Sequence, residues 1–167
     1  MTVINLPVSV CYGIAVASVP AIAGAKERRG KKLFFSLFLT VLVALPSAVA
    51  LFFFASPVAR IVYANLQAKE LCVLTRLIKT FSVSTLTLSL VQTLSACLTA
   101  QGKPKYAGFS MLVGMVVKTV AYAFLLRNPQ ISVFGLAHAT NVGYLVAFSL
   151  DLVYNLIVIH RQERTAR

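Results

Sequence analysis

One uninterrupted apolar segment decides the fold of this chain: residues 33–56, LFFSLFLTVLVALPSAVALFFFAS. The segment contains no charged residue, and a helix of this length reaches across the ~30 Å hydrocarbon core of a bilayer. The whole chain of 167 residues is 59% hydrophobic and 12% charged, whereas an average soluble domain is about 45–50% apolar and about 25% charged. A protein of this size cannot bury so much apolar surface. The composition therefore excludes a water-soluble globule and an intrinsically disordered chain.

Further apolar runs of similar length occur at residues 6–25, 80–100, 106–126 and 131–159. They are continuous, whereas the strands of an outer-membrane barrel alternate apolar and polar residues. In lipid, the backbone of such a run must satisfy its own hydrogen bonds, which favours a helix. The sequence therefore predicts an all-α integral membrane protein with five transmembrane helices.

The connector between the second and third spans, residues 57–79, has helical features of its own. Apolar residues recur in it at helical spacing: Val58, Ile61 and Val62, and then Leu71, Leu74 and Ile78. Pro57 suits the first position of a helix. We therefore expect a helical segment after Pro57 and an amphipathic extension at the start of the third span. Residues 102–105, GKPK, predict a tight turn between the third and fourth spans.

Most of the sixteen Lys and Arg residues lie on one side of the predicted spans. This side carries Lys26, Arg28, Arg29, Lys31, Lys32, Lys103, Lys105, Arg161, Arg164 and Arg167. By the positive-inside rule it faces the cytoplasm, with the N-terminus outside and the C-terminus inside. A cationic rim of this kind accounts for the net charge of +12, so we expect a bacterial inner-membrane protein with no nucleic-acid partner.

Polar side chains within the spans are candidates for lining a cavity: Gln92, Lys118, Asn141 and Asp151, with His138 and Asn155 as further polar residues. Lys118 and Asp151 would each cost about 2.5–3.5 kcal/mol if they faced lipid. Measured from the neighbouring loops, their depths differ by only ~5 Å. One prediction is an ion pair or a shared polar cavity, and the other is that Lys118 snorkels or lines a cavity alone. Gln92 belongs to a polar stripe that either packs helices or lines a cavity.

Small residues recur every four positions in the first and fifth spans, which predicts close helix packing. They are Gly13, Ala17 and Ala21 in the first span, and Gly135, Ala139 and Gly143 in the fifth. The chain has no Gly-rich phosphate loop, zinc-protease motif or nucleophile elbow. We therefore expect no enzyme activity, no catalytic or metal-binding residue and no cofactor.

Several short motifs are carried in a characteristic order: SVPAI at 18–22, LPSAVAL at 45–51, QTL at 92–94, QGKPK at 101–105, VFGLA at 133–137 and GYLV at 143–146. Together they resemble the C-terminal lobe of polysaccharide exporters in the multidrug/oligosaccharidyl-lipid/polysaccharide flippase superfamily, and most closely the relatives of stage V sporulation protein B. The resemblance implies two six-helix lobes that rock around a central cavity. It also implies a lipid-linked sugar substrate and coupling to an ion gradient.

By this resemblance, residues 1–161 form a flippase half-domain and residues 162–167 a basic cytoplasmic tail. Five spans make an incomplete six-helix lobe of a MATE-like flippase, with the absent span before residue 6. We therefore expect a partial flippase for a polysaccharide or peptidoglycan precursor. Its expected partners are the lipid bilayer, the lipid-linked saccharide and an N-terminal lobe. A non-transporting membrane partner protein and an inactive fragment of such a transporter remain alternatives.

Overall fold

The computed structural model describes residues 2–24, 29–63, 67–126 and 132–165. These ranges form α1 (Thr2–Ala23), α2 (Arg29–Phe53), α3 (Ala55–Val62), α4 (Ala68–Ala100), α5 (Pro104–Leu125) and α6 (Ser132–Thr165). In length and composition, α2, α4, α5 and α6 are each able to cross a membrane. The all-α membrane fold is therefore confirmed. The apolar part described in α1, Val8–Ala17, is shorter, so the crossing by α1 stays a prediction.

The central helix of the bundle is α4, which packs against each of the other five helices. Over the most apolar 18 residues of α4, 61% of the residues are buried within the protein, whereas the share for the corresponding stretch of α5 is 11%. The predicted amphipathic extension is confirmed, because α4 is a single helix of 33 residues that begins at Ala68. Its first turns pack against α3 through Leu71, Leu74 and Ile78.

The turn between α4 and α5 is as tight as predicted. Gly102 has a φ of +73°, a left-handed conformation that glycine adopts without steric cost. The following Lys103 donates its backbone N–H to the Leu98 carbonyl at 2.9 Å, which satisfies one of the free carbonyls at the end of α4. Pro104 then begins α5, a position at which its missing N–H costs nothing.

The short helix α3 packs through a different face from the one predicted. It begins at Ala55, so Pro57 is not its first residue. The buried side consists of Ala55 and Ala59, whereas Ile61 is 79% and Val62 47% exposed. On α4 the contacts come from the predicted apolar face, Leu71, Leu74 and Ile78. The alanines allow α3 to approach α4 closely, which explains why the larger apolar residues face outwards.

Apart from Lys118, which lies within α5, the cations whose side chains the structure describes fall into two groups at opposite ends of the bundle. The start of α2 meets the ends of α4 and α6 in a cluster of Leu33, Leu94, Cys97 and Ile159. Near this end lie Lys31, Lys32, Lys103, Lys105 and Arg161. At the other end lie Arg60, Lys69, Arg76 and Lys79. The structure thus keeps Lys31, Lys32, Lys103, Lys105 and Arg161 together at one end, as the sequence predicted. Lys26, Arg28, Arg127 and Arg167 lie outside the described residues.

Candidate functional site

Hydroxyl side chains form much of the buried surface of α4: Ser82, Ser84, Thr85, Thr87, Ser89 and Thr93. Most of them donate to a carbonyl one turn back in the same helix. Ser89 Oγ, for example, bonds to the Thr85 carbonyl at 2.8 Å, and Thr93 Oγ1 to the Ser89 carbonyl at 3.0 Å. Small hydroxyls satisfied in this way cost little in an apolar interior and allow close helix packing.

Interhelical hydrogen bonds join α4 to α6 along a line of polar residues. We call this line the α4–α6 seam: Ser84 and Ser95 on α4 and Gln101 at its C-terminal cap, with Asn141, Asp151 and Asn155 on α6. At one end Ser84 Oγ donates to Asn141 Oδ1. Asn141 Nδ2 donates in turn to the Thr80 carbonyl at 3.1 Å. Asn141 therefore acts as a bridge between the two helices.

The other half of the seam is built around Asp151 and Asn155. Ser95 Oγ donates to Asp151 Oδ2 at 2.6 Å. One turn further along α6, Asn155 Nδ2 donates to the Leu94 carbonyl at 3.1 Å and to the Asp151 carbonyl at 2.9 Å. Gln101 Nε2 completes the series by donating to Asn155 Oδ1 at 3.0 Å. This end of α4 is thus tied to α6 by side-chain amides and a carboxyl group.

Asp151 is the most unusual member of the seam because it is a fully buried carboxyl group. Its Oδ1 atom has no hydrogen-bond partner. Ser110 of α5 lies beside it, but the Ser110 hydroxyl donates to the Tyr106 carbonyl at 2.9 Å and so can only accept from Asp151. The seam therefore leaves one buried carboxyl oxygen of Asp151 without a donor.

The predicted ion pair between Lys118 and Asp151 is not formed. Lys118 Nζ lies 6.0 Å from the centre of the Tyr144 ring, and Asp151 is bonded to Ser95. The prediction failed because depths were counted from the loops, as if both helices ended at one level. In the structure α6 continues to Thr165, and Lys118 lies beside Gly143, roughly 12 Å along α6 from Asp151. The half-buried Lys118 is thus a site distinct from the seam.

Gln92 lies on α4, one turn before Ser95, and is half-buried. Its Oε1 atom is buried without a hydrogen-bond partner. Close by, Thr93 Oγ1 and Thr40 Oγ1 of α2 form a hydrogen bond of 2.8 Å. The polar stripe therefore joins α4 to α2 as well as to α6. Gln92 itself makes no such link, and its role as a cavity residue stays a prediction.

Two of the predicted small residues on α6 lie in close helix contacts. A Cβ atom added to Gly143 would come within 2.7 Å of both the Gly114 carbonyl oxygen and Lys118 Cβ. A Cβ atom added to Gly135 would lie 3.0 Å from Leu125 Cβ. Ala139 between them is buried. Such backbone approach is what small residues at helical spacing permit. Ser110 and Gly114, four residues apart on α5, carried the same signal and were not singled out.

The small residues of α1 do not take part in comparable contacts within this chain. A Cβ at Gly13 would meet nothing within 4 Å, and Ala17 is exposed. The buried positions of α1 are instead Val8, Cys11 and Ala15. Ala21 lies within α1, but its side chain is outside those that the structure describes. The packing role predicted for Gly13 and Ala17 is therefore not seen in contacts between the described helices, and the role of Ala21 stays a prediction.

The comparisons with known proteins agree with this architecture. A family model described as "Lipid II flippase MurJ" matches residues 2–163, which is nearly the whole chain. No curated protein and no solved structure matches the sequence. The family match supports the resemblance to the flippase superfamily, while the finer resemblance to stage V sporulation protein B stays a prediction. This multi-pass membrane protein belongs to the lipid II flippase MurJ family.

Proposed function

We propose that this chain is part of a flippase that moves a lipid-linked cell-wall precursor across the bacterial inner membrane. The observation that carries the proposal is the family match over residues 2–163. The apolar helical bundle supports the proposal, because a flippase is embedded in lipid. The polar contacts at its centre are of the kind that hold membrane helices together. In this view residues 1–161 form a transporter half-domain, and residues 162–167 a basic tail.

The chain would work by alternating access together with an N-terminal lobe. In that assembly the α4–α6 seam and the Gly114–Gly143 contact between α5 and α6 would keep the three helices together as one rigid body. The half-buried Lys118, supported by the Tyr144 ring at 6.0 Å, is the described cation within a span that is best placed to meet an anionic substrate group. Gln92, with an unbonded buried oxygen, is a second candidate for a surface that faces the cavity.

Reconstituted translocation of a lipid-linked precursor tests this function. We expect this chain to be active only when it is combined with an N-terminal lobe of the same family. A non-transporting partner protein or an inactive fragment, the two alternatives, would leave translocation absent in both preparations. Absence in both would therefore contradict the proposal.

We propose further that the end carrying Lys31, Lys103 and Arg161 faces the cytoplasm. The natural Cys72 provides the test, because it is exposed at the opposite end near the start of α4, while Cys11 and Cys97 are buried. In intact cells a membrane-impermeant maleimide should label Cys72. A Cys72→Ser, Lys103→Cys variant should react only after the membrane is opened. The reverse pattern would show that the orientation is inverted.

A further inference from the structure

A groove on the outer surface of the bundle runs between α2 and α4. It has a volume of about 220 Å³ and is lined by Ala48, Val49, Phe52 and Phe53 of α2 and by Ser82, Val83 and Leu86 of α4. The Ser82 hydroxyl is occupied, since it donates to the Lys79 carbonyl at 2.7 Å. The walls that remain accessible are therefore apolar. Such a surface on a membrane protein fits a hydrocarbon chain.

One end of this groove carries a positive charge. The ammonium group of Lys79 lies 5.5 Å from the centre of the Phe52 ring, and Phe52 is part of the groove wall. Lys79 is exposed and precedes Val83 by one helical turn. A lysine stem can lie along an apolar surface while its charged head stays at the headgroup level. The groove therefore combines an apolar channel with a cation at its mouth.

We propose that this groove binds one acyl chain of an anionic phospholipid, with the lipid phosphate held by Lys79. A single ammonium group matches the single negative charge of a phosphodiester better than it matches a diphosphate. The neighbouring Arg76 does not add a second charge at the mouth, because its guanidinium lies 5.5 Å from the Phe134 ring on α6. The site is thus suited to a bilayer lipid that binds beside α2 and α4, and it is independent of the transported substrate.

The absence of tryptophan from the sequence makes a direct test possible. A Phe53→Trp variant places one fluorescent reporter at the lip of the groove, where Phe53 is 73% exposed. The purified chain is reconstituted in phosphatidylcholine vesicles containing brominated phosphatidylglycerol or brominated phosphatidylcholine, which quench the indole on contact. We expect phosphatidylglycerol to be preferred at this position by roughly five-fold.

Matched variants separate the groove from general surface charge. Lys79→Gln should abolish the preference for phosphatidylglycerol. Lys103→Gln removes an equal charge at the opposite end of the bundle and should leave the preference unchanged. Val49→Phe should also remove it, because the larger side chain fills the groove while Lys79 is retained. A Phe109→Trp reporter, on the exposed surface of α5, should show no preference.

Three results would overturn the proposal. The first is equal quenching by the two brominated lipids at the groove reporter. The second is an equal loss of preference in Lys103→Gln or an equal preference at the α5 reporter, since either would indicate only the net charge of the protein. The third is relief of quenching by a substoichiometric amount of polyprenyl diphosphate, which would assign the groove to the carrier lipid of the substrate.

Discussion

Replacement of Gly143 with alanine is expected to destabilise the protein by about 1–3 kcal/mol, the usual cost of forcing extra atoms into a packed interior. The new methyl group would lie 2.7 Å from the Gly114 carbonyl oxygen. This neighbour is backbone, so it cannot move aside by changing rotamer. The α5 and α6 helices must therefore separate, and the loss should appear as a lower midpoint in unfolding of the purified protein followed by circular dichroism.

Gly108 provides the matched control on α5. A Cβ at this position would meet nothing within 4 Å, so Gly108→Ala should be neutral or should stabilise by up to ~1 kcal/mol through helix propensity. Gly114→Ala should resemble Gly143→Ala, because its Cβ would come within 2.7 Å of the Gly143 carbonyl oxygen. If all three variants were equally stable, the close α5–α6 crossing would be incorrect.

Asp151→Ala is expected to cost about 1–3 kcal/mol, since it removes the hydrogen bond from Ser95 and leaves a cavity among buried groups. Asp151→Asn should stay within about 0.5 kcal/mol of the wild type. Its amide oxygen can still accept from Ser95, and its NH₂ group takes the place of Oδ1, which makes no hydrogen bond in the wild type. The same unfolding measurement compares the two variants.

A double-mutant cycle locates the partner of Asp151. Ser95→Ala and Asp151→Ala should be coupled by about 0.5–1.7 kcal/mol, the range for hydrogen bonds between membrane helices. Lys118→Leu and Asp151→Ala should be additive within ~0.5 kcal/mol, because the two side chains contact different residues. Coupling between Lys118 and Asp151, together with a large loss in Asp151→Asn, would indicate an ion pair and contradict the seam.

The elements of the fold were predictable where hydropathy and turn residues act locally. The apolar run at 33–56 located α2, and the Gly102–Pro104 turn separated α4 from α5. The face of α3 was not predictable from hydrophobicity, because Ala55 and Ala59 are buried for their small size. Composition also did not reveal that α4, rich in Ser and Thr, is the helix at the centre of the bundle.

The candidate site was predictable in its residue types and not in its pairing. Asn141 and Asp151 were identified as polar candidates within a span, and both are tied to α4. Their partners depend on the register of α6 against its neighbours, which is determined by the Gly114–Gly143 approach. Since the sequence indicates only where a helix enters the membrane, an error of roughly 7 Å, little more than one helical turn, was enough to assign Lys118 to the wrong partner.

The most direct test of the account is translocation of a fluorescent lipid-linked disaccharide precursor in proteoliposomes, measured as the fraction that becomes accessible to an impermeant quencher. This chain and an N-terminal lobe of a lipid II flippase are reconstituted singly and together, with the Gly143→Ala variant as the matched preparation whose α5–α6 packing is impaired. We expect a time-dependent rise when the wild-type chain and the lobe are combined, a smaller rise when Gly143→Ala replaces the wild type, and no rise with either component alone. No rise above protein-free liposomes in the combined preparation would contradict it.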